Sequence, residues 1–362
     1  MRRGGYQIAM TAGARMTAEM AEQPAVLERL IARADAVGDA ARTVAPRPFA
    51  GTTIVARGSS DHASVVGRYL LELATGRPVS LAAPSLHLLY GARVDYTGQL
   101  AIAVSQSGRT PEIVTTLRRL REAGACGLAI TNDADSELAA AADALFALEA
   151  GEELAVPATK TVTAQLLAFA LLARGLAGAG AAGGGAAGAI GSLPFSDADL
   201  AALPGAVAAV LADPEPARRA AAALSDATRL VVTARGLLYG AALEAALKLQ
   251  ETSAVAADAF SSADLRHGPI AIVGEGFPVL ALSAPGPAQE DVAELVTTLR
   301  ERGARVLTIA CDDDADLALP PVAEALAPIV AVVRAQQLAR ELALVRGRDP
   351  DAPAGLRKVT AT

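Results

Sequence analysis

The 362-residue sequence lacks most features that mark an exported, membrane-spanning or nucleic-acid-binding protein. It has only two cysteines, Cys126 and Cys311, and both lie inside apolar, strand-like runs. Buried free thiols in a reduced cytoplasmic compartment are therefore expected. No apolar segment follows Arg2 and Arg3, and no run of about 18 apolar residues is free of charges and glycines, so neither an export signal nor a membrane span is expected. A net charge of −7 disfavours nucleic acids and anionic membranes as partners.

What the chain does contain is an internal repeat. The segment AVSQSGRTPEIVTTLRRLREAGA, which ends at Ala125, returns as ALSAPGPAQEDVAELVTTLRERGA, which ends at Ala304. Ser105 aligns with Ser283 at an offset of 178, and the two VTTL motifs align at an offset of 182. The repeat predicts two copies of one α/β unit, with a four-residue difference in the loop after Ser283.

Short, continuous apolar runs alternate with helical periodicity in both copies, which is typical of a parallel sheet buried on both faces. Examples are residues 100–104 and 127–131 in the first copy and 279–282 and 306–310 in the second. The sequence thus predicts an α/β fold with two doubly wound parallel sheets in tandem. The expected segments are a flexible arm (1–16), a first domain with an N-terminal helix (17–172), a Gly/Ala-rich linker (173–195), a second domain (196–345) and a polar tail (346–362). A frayed terminus is one interpretation of that tail.

Polar groups cluster where one predicted strand of the first copy ends. The loop Ser105-Gln106-Ser107-Gly108 follows the strand, and Thr110 with Pro111 opens the next helix. Hydroxyls, free backbone amides and the positive end of the helix dipole would converge there, which suits a phosphate monoester. Ordinary helix capping would explain Thr110 and Pro111 but not the other polar groups. The second copy has Ser283-Ala284-Pro285-Gly286 in place of this loop, so one phosphate site per chain is expected.

A second cluster lies on one predicted helix of the second copy. Glu244, Lys248 and Glu251 are spaced to share a helix face, and His267 follows in a loop. A solvated Glu-to-Lys pair is one interpretation. The other is an active site in which carboxylate, ammonium and imidazole supply a base, a charge stabiliser and a ring-opening acid. Packing is the expected role of the other histidines, His62 and His87.

Six motifs occur in order along the chain: ARGSSDHAS, AVSQSGRTPE, VPATKT, LEAALKLQETS, DLRHGPIAI and GLRKVT. Together they resemble the sugar isomerase (SIS) domain pair that forms the isomerase half of glucosamine-6-phosphate synthase. They also resemble shorter relatives that act as glucosamine-6-phosphate deaminases or phosphosugar isomerases. The resemblance runs from about Met16 to Thr360 and implies two flavodoxin-like SIS domains in tandem, each an α-β-α sandwich.

The resemblance implies a role for each candidate residue. Glu251 would be the base that moves a proton between C1 and C2 through an enediol or enamine, Lys248 would stabilise the developing charge, and Glu244 would support Lys248. His267 would open the sugar ring from the neighbouring subunit of a homodimer, and Lys358 would reach the sugar oxygen or form an imine. The residues implied to bind the 6-phosphate are Ser60, Ser105, Gln106, Ser107 and Thr110. Those implied to line the sugar site are Val156, Glu153 and Ser59.

The activity implied is deamination of glucosamine 6-phosphate to fructose 6-phosphate and ammonia, without metal or organic cofactor. A phosphosugar aldose-ketose isomerase or a fructosamine-6-phosphate deglycase would use the same residues. A non-catalytic sugar-phosphate sensor would be expected to have lost Glu251, His267 or Lys358. The glutaminase domain of the synthase has no counterpart before Met16, so ammonia from glutamine is not expected. Arg109 at an acidic position of the synthase and Asp264 at a glutamate position also favour the stand-alone, catabolic relatives.

Overall fold

The structure, a computed structural model, describes residues 11–177 and 193–358. The first ten residues of the predicted arm, most of the predicted linker (178–192) and the last four residues of the predicted tail lie outside this range. No helix within the described range combines the length and the apolarity that a membrane crossing requires.

The first unit contains one five-stranded parallel sheet. Its strands are β1 (Gly51–Val55), β2 (Val79–Leu81), β3 (Gln99–Val104), β4 (Cys126–Thr131) and β5 (Ala144–Ala147), and their order in the sheet is β2-β1-β3-β4-β5. Its helices are α1 (Ala14–Ala21), α2 (Gln23–Ala32), α3 (Ala34–Val44), α4 (Ser59–Thr75), α5 (Pro84–Leu88), α6 (Pro111–Glu122), α7 (Glu137–Ala141) and α8 (Lys160–Leu176). Helices cover both faces of the sheet, which is why β1 is buried throughout and β3 is apolar and buried from Leu100 to Val104.

The second unit repeats the scheme. Its strands are β6 (Arg229–Ala234), β7 (Ala256–Ser261), β8 (Pro278–Leu282), β9 (Arg305–Ala310) and β10 (Leu317–Ala318), in the order β7-β6-β8-β9-β10. Its helices are α9 (Asp197–Ala212), α10 (Glu215–Ala223), α11 (Tyr239–Ser253), α12 (Ser262–Arg266), α13 (Gln289–Glu301) and α14 (Ala327–Val345). Both sheets therefore have the doubly wound order 2-1-3-4-5, as the sequence predicts.

The repeat is real, but the predicted four-residue difference in one loop is wrong. Gly58 and Gly236 both adopt positive φ at the predicted offset of 178. Further along, Gly124 and Gly303 are the corresponding positive-φ residues, at an offset of 179. Buried helix positions obey the same offset, since Leu120 of α6 corresponds to Leu299 of α13. One residue separates the copies there, and the VTTL motifs match out of register by three positions, close to one helical turn.

Several other details differ from the sequence predictions. The segment 17–44 forms three helices, and α8 continues to Leu176, four residues into the predicted linker, because its last turn is buried. The strands β7 and β10 were not predicted. Cys126 and Cys311 are only partly buried.

The two units share one continuous apolar core. Its members include Leu70 of α4 and Leu167 of α8 from the first unit, and Leu249 of α11 and Leu338 of α14 from the second. The close approach of α11 to α4 depends on Gly240, where a Cβ atom would lie 2.6 Å from the carbonyl oxygen of His62. The helices that follow the first strand of each copy, α4 and α11, are thereby brought into contact.

Candidate active site

The predicted phosphate loop lies at the carboxyl end of β3, beside the end of β1. This is the point where chain connections leave the sheet in opposite directions, the usual ligand position in such sheets. The Ser105 hydroxyl accepts a hydrogen bond from the Gly108 amide at 3.2 Å. Gly108 has a φ of 62°, and a Cβ atom there would lie 2.1 Å from Oγ of Ser136. Only glycine fits this tight turn.

Thr110 occupies the residue before α6, yet its hydroxyl makes no capping hydrogen bond. It lies 3.4 Å from the Ser105 hydroxyl instead. Helix capping, the simpler interpretation of Thr110, is therefore not what the structure contains. The hydroxyl and the first amides of α6 are left facing the loop, where an anion would find donors.

A cleft of about 370 Å³ opens between the phosphate loop, α11 and the C-terminal tail. All five predicted phosphate-binding residues line it, together with Glu251 and Lys358. The remaining lining residues are Arg57, Gly58, Ser59, Val104, Ile113, Val156, Ala158, Thr161, Val162, Gln165, Leu356 and Arg357. The cleft thus joins groups as far apart in the sequence as Ser60 and Lys358.

The charged cluster of α11 is buried rather than solvated. The Lys248 ammonium lies 2.5 Å from Oε2 of Glu251 and 3.4 Å from Oε1 of Glu244. Lys248 is fully buried and Glu244 almost so, whereas 20% of the Glu251 side chain is exposed, on the cleft side. The interpretation as a solvated surface pair is therefore wrong. Only Glu251 of the three is open to a substrate.

Opposite charges overcome the effect of burial on both buried members. Burial would raise the pKa of Glu244, but Lys248, His62 and Ser59 lower it below its ordinary value. Burial would lower the pKa of Lys248, but Glu244 and Glu251 raise it above its ordinary value. Lys248 is thus a fixed positive charge and Glu244 a fixed negative one.

Two residues of α4 reach this cluster from the other unit. The Ser59 hydroxyl donates to Glu244 at 2.9 Å, and Nδ1 of His62 lies 2.8 Å from the other carboxylate oxygen. The prediction that His62 merely packs is wrong, because its ring orients a buried carboxylate. His87 does pack, against Tyr96, with 3.2 Å between Nε2 and the phenol oxygen.

The tail is not frayed over its described length, and its lysine lies at the cleft. The Lys358 ammonium is 2.8 Å from Oε2 of Glu153, which is fully buried. Glu153 also accepts from the hydroxyl of Thr161 at 2.7 Å and from the amide of Thr159 at 2.9 Å. Burial would raise the pKa of Glu153, but Lys358, Thr161 and Thr159 lower it overall. Glu153 is occupied by these partners and is absent from the cleft lining, whereas Val156 is part of it.

His267 lies apart from the cleft of its own chain. It is exposed, directly after α12, and is not among the lining residues. Arg109 also faces elsewhere, because it pairs with Asp133 at 2.9 Å on the surface. Arg57 lines the cleft, but its charge is balanced by Glu112 at 2.8 Å.

Lysine scarcity was a signal in the sequence that motif analysis missed. Of the 32 basic residues only three are lysines, Lys160, Lys248 and Lys358, and the other 29 are arginines. All three lie at or beside the cleft, and the side chains of Lys160 and Lys248 are 1% exposed. Lys160, which pairs with Glu22 at 2.6 Å, was not predicted as a site residue. Neither was Gln165, which lines the cleft and whose buried Oε1 has no hydrogen-bond partner among the described residues.

Comparison with known proteins places this arrangement among relatives. A family model described as the SIS domain matches residues 52–174 and 223–346. The chain is 36% identical, over 379 residues, to a glutamine–fructose-6-phosphate aminotransferase (isomerizing) of Symbiobacterium thermophilum. It is 32% identical, over 360 residues, to a protein of the same name from Thermus thermophilus. These alignments cover 98% and 95% of this chain but only 59% and 58% of the relatives, so the chain spans less than two thirds of their length.

Solved structures give the same picture. A candidate phosphosugar isomerase from Silicibacter pomeroyi is 34% identical, with a TM-score of 0.79 over 93% of this chain and 99% of that one. The C-terminal domain of glucosamine-fructose-6-phosphate aminotransferase from Francisella tularensis is 25% identical, with a TM-score of 0.80 over 97% and 100%. A glucosamine-6-phosphate deaminase from Thermotoga maritima is 22% identical with a TM-score of 0.77 over 96% and 98%, a likeness that concerns the fold alone.

Proposed function

Because this chain belongs to the SIS domain family, we propose that it is a phosphosugar-converting enzyme that deaminates glucosamine 6-phosphate. One observation carries the proposal: the hydroxyl-rich loop of the first unit and Glu251 of the second line a single cleft. A phosphate held by the loop would fix the other end of the sugar near a carboxylate. The binding energy of the phosphate would then serve to hold the open chain in a reactive position.

The phosphate would be bound by neutral donors and the helix dipole. Ser60, Ser105, Gln106, Ser107 and Thr110 offer hydroxyl, amide and backbone groups, and the uncapped start of α6 adds its positive end. Gln165 has a spare acceptor for a sugar hydroxyl or amino group. Val156 and Ser59 line the same space and would contact the sugar.

The chemical step would use Glu251 as the base. In the open-chain aldehyde, Glu251 takes the proton from C2 and returns it to C1, while a proton passes from the amino nitrogen to the C1 oxygen. The 2-amino aldose thereby becomes the imine of the ketose. Water then replaces the nitrogen at C2, so that fructose 6-phosphate and ammonia are released. Lys248 supports this step because its ammonium remains charged and stabilises the developing negative charge on the substrate oxygen. Glu244, held by Ser59 and His62, keeps Lys248 in place.

Lys358 and His267 would act at the edges of the cleft. We expect Lys358 to leave Glu153 and meet the sugar at C1 or its oxygen. We expect His267 to serve as ring-opening acid in the cleft of a second copy, because it is exposed and does not line its own cleft. A homodimer is therefore part of the proposal. A reduced cytoplasm is the compartment that we propose for it.

Ammonia release from glucosamine 6-phosphate tests the proposal directly. Purified wild-type protein should release ammonia at the same rate with and without glutamine, and Glu251→Gln should release at least about a hundredfold less, as expected for loss of a general base. Unchanged release by Glu251→Gln would refute the role of Glu251. Release only in the presence of glutamine would refute the deaminase.

A second candidate is aldose-ketose isomerisation of another phosphosugar, or deglycation of a fructosamine 6-phosphate. It is favoured by the cleft wall at Ala158, which carries no polar group to recognise a particular substituent. The same base and ammonium would suffice, because the proton transfer between C1 and C2 is common to these reactions. A pure sugar-phosphate sensor is disfavoured, since Glu251 and Lys358 both line the cleft and the buried Lys248 pairs with Glu251.

A further inference from the structure

The start of α1 is capped by the C-terminal tail, 336 positions away. One carboxylate oxygen of Asp351 accepts the amide of Arg15 at 2.9 Å, and the other accepts the amide of Met16 at 2.8 Å. Asp349 accepts the amide of Gly13 at 3.0 Å. The first amides of a helix have no partner within the helix, and Gly13 has no side chain with which to cap them. The tail therefore supplies a cap that α1 cannot make for itself.

The same helix also holds the wall of the cleft. The carboxylate of Glu19, in α1, accepts the amides of Leu154 and Ala155. The next amide, that of Val156, donates to the backbone oxygen of Asp351 at 3.1 Å. Met16, Met20 and Ala155 form a small buried apolar cluster between these contacts. Three separate stretches of chain, α1, residues 154–156 and the tail, are thus joined at Asp351.

Asp351 and Lys358 hold the two ends of residues 351–358, the part of the tail that lies beside the cleft. Asp351 is buried, whereas most residues between it and Lys358 are exposed. The backbone bonds of that stretch are local, from Ala352 to Asp349 and from Leu356 to Pro353. If Lys358 moves from Glu153 to a substrate, Asp351 stays behind as the fixed point.

We propose that Asp351 is a positioning residue: with α1 it forms the pivot from which the tail delivers Lys358 to the cleft. The inference rests on the proposed function, because it assigns Lys358 a part in the reaction. It adds that α1, which does not line the cleft, is part of the apparatus that makes the tail effective. A mere helix cap would contribute to stability without any link to Lys358.

The test compares five variants, four single and one double, with glucosamine 6-phosphate as substrate. Asp351→Ala should lower kcat at least about tenfold, and Asp351→Asn, which keeps one acceptor, should lose less. The inhibition constant of inorganic phosphate should stay within about twofold of the wild-type value, because the proposed phosphate-binding residues lie on other loops. The matched control is Ser196→Ala, which removes the hydroxyl that caps α9 far from the tail and should leave kcat unchanged. In a Lys358→Ala background, Asp351→Ala should cause no further loss, because it acts through Lys358.

Hydrogen exchange supplies a readout that needs no turnover. Amides of residues 352–358 should exchange faster in Asp351→Ala and Asp351→Asn than in wild type or Ser196→Ala. An unchanged tail exchange, or kcat losses that multiply in the double variant, would overturn the inference. Faster tail exchange in a protein that proves inactive on glucosamine 6-phosphate would leave the pivot standing and refute only the proposed substrate.

Discussion

At the scale of single residues, the three lysines stand out because every other basic side chain except histidine is an arginine. Each ammonium meets a carboxylate: Lys160 meets Glu22, Lys248 meets Glu251, and Lys358 meets Glu153. A compact ammonium on a flexible stem fits between crowded groups, whereas a planar guanidinium needs a wide, forked partner. Where the surface sets no such limit, the chain uses arginine.

This contrast predicts the outcome of Lys248→Arg, which keeps the charge but not the shape. Lys248 is fully buried between two carboxylates, so the larger group should cost about 1–3 kcal/mol of stability by overpacking. It should also displace Glu251 and lower kcat by about a hundredfold. Thermal unfolding and steady-state kinetics measure both effects. The reverse exchange at an exposed position, Arg219→Lys, is the control and should change neither; equal activity of the two variants would contradict the argument.

The lowered pKa of Glu153 predicts how the stability of the fold depends on pH. Its pKa is lower in the folded protein than the ordinary value of about 4.3, so its ionised form stabilises the fold. That contribution is present above about pH 4.3 and is lost as the pH falls through the lower folded value. Glu153→Gln should reduce the free energy of unfolding at pH 7 by about 2 kcal/mol, because Lys358, Thr161 and the amide of Thr159 would lose a buried, charged acceptor. In urea titrations the gap to wild type should shrink as the pH falls below about 4. A gap that is constant from pH 7 to pH 3 would count against this assignment.

At the scale of elements, the helix pair α4 and α11 makes the site. Ser59 and His62 can reach Glu244 only because Gly240 allows the two helices to touch. No local pattern in the sequence reveals this contact, because both partners are ordinary members of helices in different copies. The sequence alone therefore predicts only packing for His62.

Gly240→Ala should therefore harm both stability and activity. Its Cβ would lie 2.6 Å from the backbone oxygen of His62 and 2.5 Å from Cγ2 of Val66, so α11 must shift. We expect a loss of about 1–3 kcal/mol and a fall in kcat, with the affinity for phosphate retained. Gly205→Ala is the matched control, because that exposed glycine of α9 has no atom within 4 Å of an added Cβ. It should stabilise by about 0.5–1 kcal/mol without altering kcat. Equal stability and equal kcat in the two variants would contradict the importance of the contact between α4 and α11.

The elements that could be predicted from the sequence are those with continuous apolar runs. The runs at β3, β4 and β8 are buried strands as predicted, because a sheet covered on both faces needs such sequences. The edge strand β7 was missed because Asp258 interrupts its apolar pattern and only one of its six residues, Ala257, is buried. The register of the repeat slipped by nearly one turn because Leu117 and Leu120 are both buried, three positions apart, and either can be matched to Leu299.

At the scale of the whole molecule, the two copies contribute different polar groups to one cleft. At the constant offset of 178, Ser60 of the first copy corresponds to Leu238 of the second, and Leu70 and Leu73 of the first correspond to Lys248 and Glu251. Each copy is polar where the other is apolar. The hydroxyl-rich loop of one and α11 of the other line one cleft, where we propose that phosphate and base act together. The sequence motifs indicate these two elements singly but do not place them together.

This division predicts a single sugar-phosphate site per chain. Ser283, which begins the loop of the second copy, lines a pocket together with Asp312 and Asp314, whose carboxylates would repel a phosphate. Calorimetric titration with fructose 6-phosphate should give a stoichiometry of one. Ser105→Ala should weaken binding, whereas Ser283→Ala, at the corresponding position, should leave it unchanged. A stoichiometry of two, or equal effects of the two variants, would contradict the division.

The central claim is that Glu251 moves a proton at C2 of a sugar whose phosphate is held by the first copy. The most direct measurement is the loss of the C2 proton signal of glucosamine 6-phosphate in heavy water, followed by NMR. We expect wild type to replace this proton with deuterium, and Glu251→Gln to do so at least about a hundredfold more slowly. Exchange at the wild-type rate in Glu251→Gln, or no exchange by the wild type, would contradict the account.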